Sequence, residues 1–280
     1  MIEVVEETGS TNADLVRRLG AGEFVSEGHW LRALRQTGGR GRRGREWIAP
    51  EGNLTASTVV SLRADDPAVH TLAFVAALAV HDVVSEELSS VERPFTPQDP
   101  LTLSLSKGVG SCAAPTSPST PPAASLRTCF DKLRTSGIIL KWPNDVLVGG
   151  AKICGILLER CGDSVVAGIG INVAAAPEVP GRATTSLHAN EGRNDAATVL
   201  AQLAARFAAR LAQWRIDGLA ATLADWQRRA SPPGTPLMVS LDEEGTLSGG
   251  FAGLDPDGAL RLRLADGSLR VIHAGDVSLV

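Results

Sequence analysis

The chain has 280 residues, 44% of them hydrophobic, and 27 Lys and Arg against 31 Asp and Glu give a net charge of −4. That is room for one large domain and a small one, and the mildly acidic balance with few aromatic residues argues against a general nucleic-acid surface. The start Met1-Ile2-Glu3-Val4-Val5-Glu6-Glu7 lacks the basic head and apolar centre of a signal peptide, and no apolar run reads as a membrane span; four cysteines without Cys-x-x-Cys spacing give neither a disulfide framework nor a zinc site, so residence in the cytoplasm is expected.

Thr11 with Asp14 three positions on reads as a capping box, opening a helix that runs to about Leu19. Leu31 to Gln36 predicts a strand, and Asn53 to Leu62 has the β-branched content of a buried one. Pro67 to Leu88 predicts a long apolar helix with proline at its start. From about Ser89 to Ser136, repeated Pro, Ser and Thr predict a flexible insertion, with a helical turn or two over Leu126 to Leu133. Ile138 to Val148 reads as two short strands flanking the Trp-Pro-Asn-Asp corner, and Lys152–Glu159 and Val165–Val173 as two more joined by a hairpin at Arg160-Cys161-Gly162-Asp163. Asn194-Asp195 caps a helix to about Arg215, and Leu219 to Arg229 forms another. Beyond Ser231 the pattern becomes short alternating strands at Pro236–Leu241, Gly245–Leu254, Ala259–Leu264 and Ser268–His273, separated by Asp/Gly turns, which predicts a small β-barrel module.

One segment carries chemistry by itself. Gln36 to Trp47 packs four glycines and four arginines into twelve positions, and from Arg32 to Arg45 there are six arginines and no acid. Glycine tolerates positive φ, so successive N–H groups can converge on one anion, and each guanidinium adds paired donors to the same oxygens. This is the composition of a phosphate cradle. Gly39-x-Gly41-x-x-Gly44 also spells the dinucleotide fingerprint, but Pro50 and Gly52 follow where a helix should propagate, and no Gly-Lys-Ser/Thr is present for a Walker loop.

Four segments stand together in order: Ser10-Thr11-Asn12; Gln36 to Trp47; Lys141-Trp142-Pro143-Asn144-Asp145 with Lys152-Ile153-Cys154-Gly155-Ile156-Leu157-Leu158-Glu159; and Gly168-Ile169-Gly170-Ile171-Asn172. In this order and wording the chain resembles the biotin protein ligases. The resemblance implies an α+β fold: a mixed sheet with flanking helices, similar to class II aminoacyl-tRNA synthetase catalytic domains, over residues 1–230, followed by an SH3-like barrel over residues 231–280. It implies ATP-dependent conversion of biotin to biotinyl-5′-adenylate, then transfer of biotin to a lysine of a biotin carboxyl carrier domain of a carboxylase such as acetyl-CoA carboxylase. ATP, with Mg²⁺ arriving on it, and biotin are the small molecules expected, and a homodimer is compatible with the resemblance. Nucleic-acid and membrane partners are not expected. The nine residues before Ser10 are too few for the helix-turn-helix domain of bifunctional members, so repression is not expected either.

Carried over motif by motif, the resemblance assigns Ser10, Thr11, Asn12 and Gln36 to biotin's ureido ring, whose N–H and carbonyl groups match hydroxyl and amide partners. Gly155, Ile156, Leu157, Gly170 and Ile171 are expected to wall the thioether ring and tail. Arg40, Gly41 and Arg42 are expected to cover the carboxyl and phosphate, with Arg43 and Arg45 as support, and Lys152 to meet both. Arg45, Trp47, Asn144 and Asn172, with Arg40, Arg42 and Lys152, complete the expected nucleotide site, Trp47 stacking on adenine. Lys152, Asp145 and Arg42 are the expected catalytic residues, Asp145 binding Mg²⁺ or orienting and deprotonating the incoming lysine; no dedicated protein metal site is expected. Read one motif at a time, Ser10 to Asn12 serve equally as a helix cap, and Asn144 as a turn residue. Two rival readings stay open: a lipoate or related acyl ligase, and a non-catalytic biotin-binding regulator.

Overall fold

The computed structural model describes residues 1–89, 137–241 and 245–280. The expected insertion from Ser89 to Ser136 and its helical turn lie outside the described residues, apart from Ser89 itself.

A seven-stranded mixed sheet forms the larger part. Its strands are β1 (Ile2–Thr8), β2 (Trp30–Gln36), β3 (Leu54–Ser61), β4 (Ile138–Lys141), β5 (Asp145–Val148), β6 (Ala151–Cys161) and β7 (Ser164–Ile171), in the order β1-β2-β3-β7-β6-β5-β4. Only β1 with β2 is parallel, joined through the crossover helix α1 (Thr11–Gly20); the other neighbours are antiparallel. The sequence gives no hint of β1, because three glutamates interrupt its alternation. At α1 the cap is Ser10 rather than Thr11: its Oγ accepts from the Ala13 N–H at 3.4 Å and its carbonyl from the Asp14 N–H at 2.9 Å. Asp14 instead accepts from the Thr8 hydroxyl and from Arg17, so the expected reciprocal box does not form.

Along each central strand the side chains alternate between two unlike faces. Leu54, Ala56 and Val60 of β3, Val165, Ala167, Ile169 and Ile171 of β7, and Cys154 and Ile156 of β6 enter one apolar core. Helices α2 (Leu72–Ser89), α3 (Ala196–Ile216) and α4 (Gly218–Arg229) cover it. Edge-on ring contacts lock the layer, Trp30 on Phe207 with centroids 5.7 Å apart and Phe74 on Trp226 at 5.4 Å. By length and composition Val69–Ser89 is apolar enough to cross a membrane, contrary to the reading above, but in this fold it is a core helix with Leu72 and Val75 to Val80 buried. Asp195 caps α3, accepting from Thr198 N–H at 2.8 Å.

On the opposite face Leu31, Val59 and Val166 pack with Leu15 of α1 in a second, smaller cluster. Further along the same face the strands present Thr55, Ser57, Gly155, Gly168 and Gly170, and the sheet is left uncovered for a cavity.

The C-terminal strands β8 (Pro236–Leu241), β9 (Gly245–Leu254), β10 (Leu260–Arg263), β11 (Leu269–Ile272) and β12 (Asp276–Leu279) form a five-stranded antiparallel sheet ordered β11-β10-β9-β8-β12. The last strand lies beyond those that the alternation pattern predicts. Leu237, Val239, Phe251 and Leu260 join the main core, and the Trp142 indole N–H donates to the Gly258 carbonyl at 3.0 Å. This module is therefore packed onto the larger part close to the Trp-Pro-Asn-Asp corner, whose Trp142–Pro143 peptide is cis.

Candidate active site

The uncovered face of the sheet and the arginine loop border a cavity of about 370 Å³, which Asp276, Val277 and Ser278 of β12 also line. All four motifs line it: the first from the start of α1, the second from the end of β2 and the loop after it, the third from β4 to β6 with their corner, and the fourth from β7 and the residue that follows it.

At one end lie Ser10, Thr11, Asn12 and Gln36. Thr11 is the junction: its backbone N–H donates to Gln36 Oε1 at 3.0 Å, and its hydroxyl lies 2.8 Å from Ser57 Oγ and 3.3 Å from Gln36 Oε1. Ser10 serves as the helix cap described above while also lining the cavity. The Asn12 side-chain amide donates to Glu159 Oε2 at 2.5 Å, and its Oδ1 has no partner among the described residues.

The floor is Gly155 paired with Gly170 across β6 and β7. A Cβ on Gly155 would stand 2.8 Å from the Trp47 indole, and one on Gly170 would also collide with that ring, so glycine at both positions is what lets Trp47 sit there. The Lys152 ammonium sits 5.5 Å from the Trp47 ring centroid. Ile171 does not belong to this wall. It is fully buried on the helix side of β7, because a strand turns each successive residue to the other face, and the glycines take the cavity side. Leu157 lines the cavity; Ile156 borders it from the core.

Lys152, Asp145 and Lys141 form a buried charge triad on β4, β5 and β6. Asp145 accepts from Lys152 Nζ at 2.5 Å and from Lys141 Nζ at 2.8 Å, and Lys141 also donates to the Val277 carbonyl at 2.8 Å. Burial opposes ionisation of Asp145, but the two ammonium groups overcome it and hold the carboxyl at about 2. Burial draws the Lys152 amine below the ordinary lysine range, partly offset by Asp145. A carboxylate held so acidic is a poor proton acceptor near neutrality, and both its oxygens are already engaged. This arrangement suits the expected orienting role of Asp145.

The loop itself is a short hairpin. Trp47 N–H donates to Gly39 O at 2.9 Å and Gly41 N–H to Arg45 O at 2.7 Å, with a single turn over Arg42–Gly44 in which Arg43 has φ 58°. No longer helix follows, as the sequence reading required. Arg40, Gly41, Arg42 and Arg45 line the cavity. Arg42 lies 3.4 Å from Asn144 Oδ1, and its burial lowers the guanidinium below its ordinary range. Arg43 and Arg45 both reach Asp276 on β12, Arg43 at 3.2 Å. Asn144 is a corner brace, its amide donating to the Ile156 carbonyl at 2.6 Å. Asn172 is 1% exposed and braces the cavity's edge, donating to the Thr185 carbonyl at 3.0 Å.

Residues 25–175 match the biotin/lipoate A/B protein ligase family model, and residues 239–280 match the biotin protein ligase C terminal domain. A biotin–[acetyl-CoA-carboxylase] ligase of Paracoccus denitrificans is 34% identical, the alignment covering 98% of each chain. The chain belongs to the biotin/lipoate A/B protein ligase family. A second relative, the biotin–[acetyl-CoA-carboxylase] ligase of Mycobacterium tuberculosis, is 32% identical over 99% of this chain and 88% of its own. The fold is also that of a biotin protein ligase from Aquifex aeolicus solved with biotin and ATP, with a TM-score of 0.71, 24% identity, and 100% and 98% of the two chains covered.

For a protein ligase of this family, the motifs assign no role to the cavity residues Ser57, Glu46, Arg182 and Asp276 to Ser278, nor to Glu159, which holds Asn12.

Proposed function

We infer that this chain activates biotin with ATP and transfers it to a lysine of a biotin carboxyl carrier domain of acetyl-CoA carboxylase or a similar enzyme. The observation that supports this most is one cavity lined both by the amides and hydroxyls of Ser10, Thr11, Asn12 and Gln36 and by Arg40, Arg42 and Lys152. The first set suits a cyclic urea and the second a carboxylate meeting a phosphate.

In the first step a biotin carboxylate oxygen attacks the α-phosphorus of ATP; a P–O bond forms, and pyrophosphate leaves with the electron pair. Two anions must approach, so fixed cations in a water-poor site lower the barrier most. Arg42 and Lys152 hold that position in this reading, with Arg40 and Gly41 covering the mixed anhydride. Mg²⁺ travels on the triphosphate and screens its charge. In the second step a deprotonated lysine amine attacks the acyl carbon and AMP departs. Asp145 orients Lys152, and the amine, by charge; its acidity makes it a poor base. Trp47, with Arg45, Asn144 and Asn172, is assigned to the nucleotide side, the indole moving from the glycine floor to stack on adenine.

The proposed division is a catalytic domain over 1–230 and a C-terminal domain over 231–280, supported by the turn at Ser231–Gly234 and by the second family match starting at 239. Five short antiparallel strands with Asp/Gly turns suit an SH3-like barrel, and the mixed sheet backed by helices suits the class II synthetase comparison. Cytoplasmic residence, where ATP and carboxylases meet, and a homodimer belong to the same reading.

Pyrophosphate release decides it. Biotin is expected to drive release and lipoate is not; release driven by lipoate alone would turn the assignment to the other branch of the family, and binding of biotin without release would make the chain a sensor.

A further inference from the structure

We propose that Glu159 is a positioning residue that turns the Asn12 carbonyl toward a cyclic-urea N–H. Asn12 is the second residue of α1, only 4% exposed, and its helix turn is fixed by the Ser10 cap. Its two amide ends are treated very differently. The NH₂ end donates to Glu159 Oε2 at 2.5 Å, whereas Oδ1 is buried with no partner among the described residues.

A primary amide left alone can present either end, since rotation by half a turn exchanges oxygen and nitrogen at little cost. A carboxylate accepts only, so Glu159 removes that ambiguity: NH₂ must face it and oxygen must face away. Donation to an anion also polarises the amide and makes Oδ1 a stronger acceptor. Gly168 completes the arrangement, for a Cβ there would stand 2.5 Å from Asn12 Oδ1, and Gly168 lines the cavity too. A buried acceptor without a partner costs free energy unless a ligand supplies the donor. Resting on the biotin-activation reading, the ring N–H of the urea is that donor; a dithiolane or plain acyl chain offers none. Glu159, exposed and on the cavity side of β6 two residues past Leu157, would thus help select biotin without touching it.

Steady-state pyrophosphate release by the full chain tests this, using biotin and its two ureido N-methyl isomers as probes. Glu159→Ala should raise the KM for biotin roughly three- to tenfold, the weight of one hydrogen bond, with kcat nearly unchanged. For the isomer methylated at the nitrogen facing Asn12 the variant and the parent should give the same KM. Glu159→Gln, whose side-chain carbonyl can still accept, should restore most of the biotin affinity. Side-chain amide NMR of Asn12 supplies a readout independent of turnover: its NH₂ signals should shift in Glu159→Ala and stay near their parent positions in Glu159→Gln. An unchanged biotin KM in Glu159→Ala, or equal losses with all three probes, would overturn the proposal while leaving biotin activation by the parent chain intact. Should Glu159→Ala not fold, Glu159→Ser, too short to reach Asn12, takes its place with the same expectations. Failure of the parent chain to release pyrophosphate would sink the activation reading itself.

Discussion

The two faces of the seven-stranded sheet are made by the same strands yet solve opposite problems. One face presents Ala56, Ile156, Ile169 and Ile171 to three helices and excludes water by volume; the other presents Thr55, Ser57, Gly155, Gly168 and Gly170 and keeps volume free. Period-two alternation lets β3 and β7 serve both tasks at once, so an isoleucine that stabilises the fold sits beside a glycine that leaves room for a ligand. Stability and recognition are therefore separable one residue at a time.

The largest effect is expected on the cavity face, at Lys152. Lys152→Ala should cut biotin-dependent pyrophosphate release about 10²-fold or more, the scale for losing one preorganised donor at a developing charge, while circular dichroism stays native because Asp145 keeps Lys141. Next comes a crossed pair on one strand. Ile169→Ala, in the core, should lower unfolding free energy by about 2–4 kcal/mol in urea titrations with KM for biotin unchanged. Its neighbour Gly170→Val should do the reverse, displacing Trp47 and raising KM, with a smaller loss of stability. Equal behaviour of the two variants would break the comparison.

On the cavity face acid should act through Asp145. Asp145 has its folded-state pKa lowered from 3.8 to about 2, so its contribution to stability is fully present above pH 4 and is lost as pH falls from there through 2. That contribution is on the order of 2 kcal/mol, and Asp145→Asn should flatten the urea-midpoint profile across this window. The smallest effect is expected at Asp276, whose pairs with Arg43 and Arg45 are partly exposed. Asp276→Ala should cost no more than about 1 kcal/mol of stability, less still at high salt, and raise the KM for ATP a few-fold by freeing the loop.

Much of this was legible in the chain. Strands β8 and β9 fall at their expected residues, because alternation bounded by Pro236 and Gly245 leaves little choice. The motifs named most of the cavity. What was not legible depended on through-space neighbours. Strand β1 is a strand because Trp30 to Gln36 pair with it, not because its own glutamates favour one. Thr11 with Asp14 spells a capping box, yet Ser10 is the cap, because the geometry of the turn decides. Ile171 faces the core and not the cavity, because adjacent strand residues face opposite ways, which a motif taken as a string does not show. Glu159 and Asp276 lie 147 and 231 positions from the residues they hold, Asn12 and Arg45, beyond any local pattern.

The central claim is that the free face of this sheet joins a urea-recognising end to a cationic end, so that biotin is activated and then handed to a carrier lysine. Incubation of the full chain with biotin, ATP–Mg²⁺ and a biotin carboxyl carrier domain, read by intact mass, tests it most directly. The account predicts one biotinyl group on a single carrier lysine, abolished by omitting ATP and strongly reduced in Lys152→Ala. An unmodified carrier, or modification undiminished in Lys152→Ala, would contradict it.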